Sequence, residues 1–250
     1  MFDIAAQILY EDNHLLLLNK RAGQIVQADK TGDACLAEAV KAFLKERDQK
    51  PGNVFCGVVH RIDRPVSGVV MFAKTSKALS RMNELVKARA IVKQYWAIVR
   101  PRPEAEQGTL HDWLTRNERL NKSFVVQPQA EGAKEALLDY RQLAVSRSGY
   151  GLLEVTLHTG RHHQIRVQLS HMGCPIKGDL KYGAARANSD GSISLHARRI
   201  EFEHPVRHDI VQVEAPVPNQ GLWLAFDEQL TLQSRGMEVS TINKTNSHEN

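Results

Sequence analysis

Residues 60–75 read HRIDRPVSGVVMFAKT, a charged segment that passes into an apolar one. The runs 54–59 and 66–73 are short and rich in β-branched residues, so both predict strands. The charged residues from His60 to Arg64 are therefore expected on a loop between two strands. Loops held by strands often carry functional side chains, which makes this loop the first candidate site.

Asp63 lies between Arg61 and Arg64 in this loop. Two neighbouring guanidinium groups would hold a carboxylate in its ionised form, in which it can act as a nucleophile or a base. An ordinary loop salt bridge explains the same spacing, because ion pairs also perturb pKa values without any catalytic role. From the spacing alone, the salt bridge is the favoured interpretation.

A second concentration of charge follows in residues 157–168, LHTGRHHQIRVQ. A strand leads to Gly160, after which a helix is predicted over about residues 161–171. In that helix Arg166 can reach a cleft while Ile165 and Leu169 pack against the interior. A basic helix that faces solvent explains the same pattern, and it is favoured when the segment is taken alone.

The rest of the chain predicts two more helices and a β-rich second half. A helix capped by Asp33 is expected to end at Arg47, and a helix capped by Ser76 is expected to end at Arg89. The Gly- and Ser-rich segment 178–193 predicts a mobile excursion. Further short strands are predicted within residues 7–19 (two strands), 109–114, 123–126, 136–145, 152–159 and 194–203.

Residues 92–99 alternate as a strand does. Lys93 and Tyr95 point to one face and Trp96 and Ile98 contribute to the other, so Tyr95 shares its face with small apolar residues. Taken alone, Tyr95 is as readily an ordinary strand aromatic as a functional one. We predict an α+β fold: a mixed, mainly antiparallel central sheet in two subdomains, with flanking helices and loops and a catalytic cleft across the sheet.

The composition limits the classes of binding partner and the compartment that can be expected. A formal charge of +5 and a pI near 9.1 favour a polyanion over a neutral small molecule. Cys35, Cys56 and Cys174 form neither a metal-binding pair nor a disulfide framework, so a cytoplasmic location is expected. No apolar run approaches the roughly 18 residues of a membrane span. Zinc-site spacings, phosphate loops and dinucleotide turns are also absent from the sequence, so we expect no metal and no cofactor.

Together the two charged segments resemble those of the RluA-like pseudouridine synthases. Further motifs of that family follow in the same order, and the likeness spans about residues 8–215. The catalytic motif is matched by His60-Arg61-Ile62-Asp63 with Ser67-Gly68, where Ile62 replaces the commoner Leu. The tyrosine strand and the arginine motif are matched by 93–99 and 159–166. Later signatures are matched by Gly178-Asp179, Lys181-Tyr182-Gly183 and Leu195-His196-Ala197. One departure is Arg21, which stands where relatives usually have a proline.

The resemblance implies that the chain isomerises uridine to pseudouridine in ribosomal or transfer RNA, with Asp63 as the catalytic carboxylate. It implies that Arg166 pairs with Asp63 and that Tyr95 offers its ring face to the extruded uracil and a hydroxyl near carbon 5. It also suggests that Arg61 fills the gap that the extruded base leaves in the stack. Contacts with substrate or RNA are further expected from His60, Arg64, Ile165, Arg161 and Lys93.

The expected organisation is a catalytic domain over residues 1–230, hinged near 100–108, followed by a polar tail over 231–250 that is partly disordered. The small N-terminal RNA-binding module of many relatives is expected to be missing, and a monomer is expected. A non-catalytic RNA-binding or ribosome-assembly protein is the rival interpretation, because it could use the same basic surface. The joint presence of Asp63, Tyr95 and Arg166 favours the enzyme.

Overall fold

The computed structural model describes residues 2–28 and 32–245, with side chains described up to residue 233. In chain order the strands and helices are β1 (Ile8–Glu11), β2 (Leu15–Lys20), α1 (Leu36–Arg47), β3 (Gly57–Val58), β4 (Ser67–Ala73), α2 (Ser76–Lys87), β5 (Val92–Val99), β6 (Gln107–Asn117), β7 (Lys122–Val126), β8 (Lys134–Val145), β9 (Gly151–Leu157), α3 (Gln164–His171), β10 (Leu195–Glu203), β11 (Ile210–Glu214) and α4 (Gly221–Thr245). None of the helices in these ranges is long and apolar enough to cross a membrane.

In the described part of the chain, eleven strands form one sheet. Its main path runs β1, β2, β4, β10, β5, β9, β8, β6, β7, while β3 pairs with β4 and β11 with β10. β4 and β10 run parallel, and the other described pairs run antiparallel. The prediction of an α+β fold with a mixed, mainly antiparallel sheet is confirmed.

The alternation predicted for β5 is also confirmed. Tyr95 and Ala97 lie in a buried cluster with Ile165 of α3, on the face that carries the candidate site. Trp96 packs on the opposite face with Trp223 of α4. The sheet therefore separates two cores, and β5 contributes to both because successive strand side chains point to opposite faces.

The four leucines of β2 are buried for the same reason. Leu16 and Leu18 pack in the core that contains residues of α1, and Leu15 and Leu17 pack in the core that contains Met82 of α2. A strand covered on both faces reads as a continuous apolar run. β2 pairs with β4 along its whole length, so it supports the strand that follows the candidate loop.

Both predicted helix caps were wrong. The N-cap of α1 is Cys35, which makes no side-chain cap bond, and the Asp33 carboxylate accepts a hydrogen bond from Arg64 at 2.7 Å. The N-cap of α2 is Thr75, whose hydroxyl accepts from the Ala78 amide at 3.1 Å. Thr75 has the extended backbone that a cap requires, and Ser76 is already the first helical residue.

Three features of the second half differ from the prediction or were missed. Segment 178–193, predicted to be a mobile excursion, contains the buried side chains of Asp179 and Tyr182. β11 and α4 were not predicted, although apolar residues such as Val211, Val213, Trp223 and Phe226 are buried in them. Helix α4 extends to Thr245, into the predicted tail, and residues 246–250 lie outside the described residues. The domain boundary at 230 and the hinge near 100–108 stay predictions.

Gly68 lies where β4 passes close to β10. Its φ is +113°, and a Cβ on it would lie 2.3 Å from the Ala197 carbonyl oxygen. Gly68 and Ala197 are partners in the parallel pairing of the two strands. Because the obstacle is backbone, no side-chain movement can relieve the contact.

Gly68→Ala is expected to lower the free energy of unfolding by roughly 3 kcal/mol or more, since backbone strain and overpacking add. Gly149→Ala is the matched control: its φ is +80°, but no described atom lies within 4 Å of its Cβ. It should cost only about 1–2 kcal/mol. Urea unfolding followed by circular dichroism measures both, and equal losses would contradict the close approach of the strands.

Candidate active site

Asp63 lies on the loop between β3 and β4, with a side chain that is 29% exposed. Its backbone carbonyl accepts a hydrogen bond from the Val66 amide at 3.0 Å, which forms a tight turn before β4. Its Oδ2 accepts from Arg166 Nη1 at 2.8 Å, although the two residues are 103 positions apart. The loop therefore presents a carboxylate that is fixed by a distant element and still accessible.

Arg166, on α3, is 5% exposed and binds a second carboxylate. Its Nε and Nη2 donate to the two carboxylate oxygens of Asp179 at 2.6 and 2.9 Å, the bidentate geometry that a guanidinium favours. Its guanidinium carbon also lies 5.1 Å from the centre of the Tyr182 ring. Burial alone would lower the pKa of Arg166, but Asp179 and then Asp63 raise it above its ordinary value, so it remains a cation.

The arginines beside Asp63 in the sequence do not flank its carboxylate. Arg64 Nη1 donates to Asp33 at 2.7 Å, and Arg61 is exposed. The prediction that these two guanidinium groups hold Asp63 was wrong, because neighbouring side chains on an irregular loop point in different directions. Arg166 supplies the guanidinium instead, and this is the pair that the family resemblance implied.

Tyr95 and Ile165 form the apolar part of the site. They are 7% and 4% exposed and lie in one cluster with Val66, next to the turn that carries Asp63. Burial, and then the charge of Asp63, raise the pKa of Tyr95, so its hydroxyl stays protonated. Val66, whose amide donates to the Asp63 carbonyl oxygen, links the Asp63 turn to the buried cluster that contains Tyr95.

His60, Lys93 and Arg161 are three further residues that were predicted to contact substrate or RNA. Burial, and then the charge of Lys93, lower the pKa of His60 to about 4, so its imidazole is neutral. Burial also lowers the pKa of Lys93. Arg161 Nε donates to the Glu135 carbonyl oxygen at 2.7 Å, which anchors the segment before α3 to β8. The roles of these three residues toward RNA stay predictions.

Helix α3 begins at Gln164, so the prediction that it begins near Arg161 was wrong. The Gln164 side-chain oxygen accepts hydrogen bonds from the Arg161 amide at 2.9 Å and from the Thr159 hydroxyl at 2.8 Å. His163 then adopts a left-handed φ of 54°. These contacts stabilise a turn that reverses into the helix, and sequence periodicity cannot distinguish such a turn from a first helical turn.

Lys20, at the end of β2, is fully buried beside the loop that carries Asp63. Its Nζ donates to the carbonyl oxygens of Arg21, Arg64 and Val66 at 3.0, 3.1 and 2.7 Å. Three acceptors match the three N–H bonds of an ammonium group. Burial lowers the pKa of Lys20 to about 7, and the charge of Asp63 opposes that shift. Lys20 thus holds the backbone on which Asp63 is carried.

Sequence reasoning assigned no role to Lys20, Asp179, His163 or Tyr182. Three of them lay within quoted motifs, which were the available signal: His163 in 159–166, Asp179 in Gly178-Asp179 and Tyr182 in Lys181-Tyr182-Gly183. Within residues 2–28 and 32–245, no group of three or more His, Cys, Asp and Glu side chains could hold a metal ion. The groups that the structure brings together are two carboxylates, the guanidinium that they share and buried aromatic rings.

Solved structures match this fold. Human RNA Pseudouridylate Synthase Domain Containing 4 gives a TM-score of 0.73 over 91% of this chain and 94% of that chain, at 24% identity. Human RNA Pseudouridylate Synthase Domain Containing 1 gives 0.65 over 86% of this chain and 84% of that chain, also at 24% identity. At this identity, the likeness establishes the fold alone.

Sequence comparison defines the class. A family model described as RNA pseudouridylate synthase matches residues 14–171. An uncharacterized RNA pseudouridine synthase of Synechocystis is 34% identical over 221 residues, which cover 86% of this chain and 67% of that protein. Ribosomal large subunit pseudouridine synthase D of Xylella fastidiosa is 36% identical over 231 residues, with the same two coverages of 86% and 67%. The chain is therefore an RNA pseudouridine synthase, an isomerase. It belongs to the RluA-like family of these enzymes.

Asp179→Ala is expected to lower the free energy of unfolding by about 3–5 kcal/mol, because it leaves a buried guanidinium without two of its hydrogen bonds. Glu84→Ala is the control: it breaks an ion pair with Lys87 at 2.8 Å, but both side chains are about two-thirds exposed. That change should cost no more than about 0.5 kcal/mol. Urea unfolding measures both, and a loss below about 1 kcal/mol for Asp179→Ala would contradict the buried pair.

Proposed function

We propose that this enzyme isomerises specific uridines in structured ribosomal or transfer RNA, with Asp63 as its catalytic aspartate. The observation that carries the proposal is the Asp63 carboxylate, held at 2.8 Å by Arg166 and yet 29% exposed. A fixed and accessible carboxylate is what a nucleophile or a base requires. The Xylella relative is named for the large ribosomal subunit, which makes ribosomal RNA the first substrate to test.

The reaction breaks the bond between C1′ of the ribose and N1 of uracil, turns the base over and joins C1′ to C5. Asp63 either attacks C1′ or removes a proton from C2′ to give a glycal, and both routes need an ionised carboxylate. Arg166 keeps Asp63 charged and oriented. Because Asp179 occupies the other side of the guanidinium, Arg166 is held in place before the substrate arrives.

Tyr95 and Ile165 would receive the uracil. The Tyr95 ring offers a face for stacking, and Ile165 adds apolar surface in the same buried cluster. The Tyr95 hydroxyl is protonated, so it takes part in removing the C5 proton only by passing its own proton on at the same time.

Recognition of the RNA would depend on extrusion of the target uridine from its stack and on attraction between basic side chains and phosphates. A stacked uridine must leave its helix before its sugar reaches Asp63, and the exposed Arg61 can stack in the space that it vacates. His60, Arg64, Lys93 and Arg161 are further candidates for contacts with the RNA, and cations of this kind make affinity fall with salt. We propose a cytoplasmic monomer that works without a cofactor.

Asp63→Asn is expected to abolish pseudouridine formation, by more than about a thousandfold, while RNA binding changes little, because the amide cannot serve as nucleophile or base. Tritium release from RNA labelled at uracil C5 measures turnover, and a binding titration measures affinity. Glu84→Gln, on the exposed face of α2, is the control.

The same variants identify the substrate in cells. Pseudouridines mapped across ribosomal and transfer RNA should be lost at specific sites when the gene is deleted, and restored by the native chain and Glu84→Gln but not by Asp63→Asn. Restoration by Asp63→Asn would contradict the catalytic role of the aspartate. A map that deletion leaves unchanged would contradict the proposed substrates.

Arg61→Ala is expected to lower kcat/KM about tenfold or more on a stem-loop whose target uridine is stacked, since unstacking costs a few kcal/mol. On a single strand of the same sequence the loss should be less than about threefold. Arg61→Lys keeps the positive charge but loses the planar guanidinium that stacks on bases, so it should behave like Arg61→Ala on the stem-loop. Equal losses on the two RNAs would contradict a flipping role and favour simple phosphate binding.

A further inference from the structure

His163 is a titratable side chain beside Asp63 to which the proposed mechanism gives no task. Its side chain is 6% exposed, and its Nε2 lies 3.4 Å from Asp63 Oδ2. Arg166 donates to the same oxygen at 2.8 Å. Among the described residues, none donates a hydrogen bond to Asp63 Oδ1, so both neighbours act on one side of the carboxylate.

The backbone of His163 brings the ring to this place. Its left-handed φ of 54° is uncommon for a residue with a Cβ and costs about 1–2 kcal/mol. The ring is stacked on that of His162, with centroids 3.7 Å apart and an interplanar angle of 25°. Strain of this kind persists where the surroundings determine the conformation, and here it directs a ring nitrogen to Asp63.

Tyr182 determines which nitrogen of His163 carries the proton. The Ser123 amide donates to the Tyr182 hydroxyl oxygen at 2.8 Å, and that oxygen lies 2.8 Å from His163 Nδ1. Because the amide already donates to this oxygen, the phenol directs its own proton to Nδ1, and the described residues provide no other acceptor for it. Burial raises the pKa of Tyr182, so that proton is retained.

His163 is neutral in this environment. Burial, and then the positive charge of Arg166, lower its pKa to about 2. The cations that face it from other elements, Arg116 and Lys181, act in the same direction, as does His162. A neutral ring that accepts at Nδ1 has its single N–H at Nε2, the nitrogen next to Asp63.

We propose that His163 is a positioning residue for Asp63: its Nε2–H donates to Oδ2, in a tautomer fixed by Tyr182 and the Ser123 amide. The inference rests on the proposed role of Asp63. With Oδ2 occupied by Arg166 and His163, Oδ1 is the oxygen presented to the ribose. The separation of 3.4 Å is longer than a usual hydrogen bond, and the proposal requires it to shorten when bound RNA excludes water from the site.

Two uncharged substitutions separate the two ring nitrogens. His163→Gln carries an amide nitrogen near the position of Nε2, whereas His163→Asn carries it near Nδ1, short of Asp63. Both residue types already adopt left-handed backbone in this chain, at Gln49 with φ 48° and at Asn121 with φ 45°. The two variants are therefore matched in charge, and Asn, the variant expected to lose activity, is the residue that tolerates left-handed backbone better.

For His163→Asn, kcat is expected to fall about 10–100-fold, with KM within about twofold, because an orienting donor is lost while the RNA contacts remain. His163→Gln should keep kcat within about fivefold of the native value. Tyr182→Phe removes the phenol that fixes the His163 tautomer, and it should lower kcat about fivefold in the native background. In the His163→Gln background it should lower kcat no further, since that donor does not depend on the phenol.

Nitrogen-15 NMR of the native enzyme reads the tautomer without turnover, and it should find Nε2 protonated and Nδ1 bare. In Tyr182→Phe the two forms should mix. Equal kcat for the Asn and Gln variants, or a proton on Nδ1 in the native enzyme, would overturn the inference. A native enzyme that forms no pseudouridine would overturn the proposed function instead, and the NMR measurement would still decide the tautomer.

Discussion

Two carboxylates share one guanidinium at the centre of this molecule, and the rest of the site depends on that arrangement. Asp179, 1% exposed, binds two nitrogens of Arg166, and Asp63, 29% exposed, binds the third. A buried guanidinium is costly unless its donors are paired. Asp179 supplies most of that pairing, so Arg166 can hold Asp63 in position while the Asp63 carboxylate stays accessible to substrate.

The sheet brings the three charges together from distant parts of the chain. Asp63 lies on the turn before β4, Arg166 on α3, which packs on the β5 face, and Asp179 on the segment between α3 and β10. β10 lies between β4 and β5, parallel to one and antiparallel to the other. The close approach of β4 and β10 at Gly68 therefore sets how near the Asp63 turn lies to the elements that support Arg166.

Local patterns in the sequence predicted the parts of the fold that local physics determines. The alternation of β5 indicated which face carries Tyr95, and helical spacing indicated that Ile165 packs while Arg166 reaches the cleft. Patterns could not supply partners distant in the chain. They therefore assigned Asp63 to the adjacent arginines and Asp33 to a helix cap, although the structure pairs Arg64 with Asp33. The role of Asp179 depends on its contact with Arg166, which no periodicity in the sequence encodes.

Charge balance explains why the centre needs cations on its protein side. An RNA phosphate that approaches an uncompensated carboxylate to about 4 Å meets a repulsion of roughly 4 kcal/mol near a protein surface. Arg166 pairs with Asp63 directly. Lys20, which is bonded to three backbone carbonyls behind the same turn, adds part of a positive charge near neutral pH, because burial lowers its pKa to about 7. Their charge offsets the repulsion without occupying the open side of Asp63. Because Arg166 makes the ion pair with Asp63, Arg61 need not do so. Arg61 is exposed on the same loop, where it is free to contact RNA.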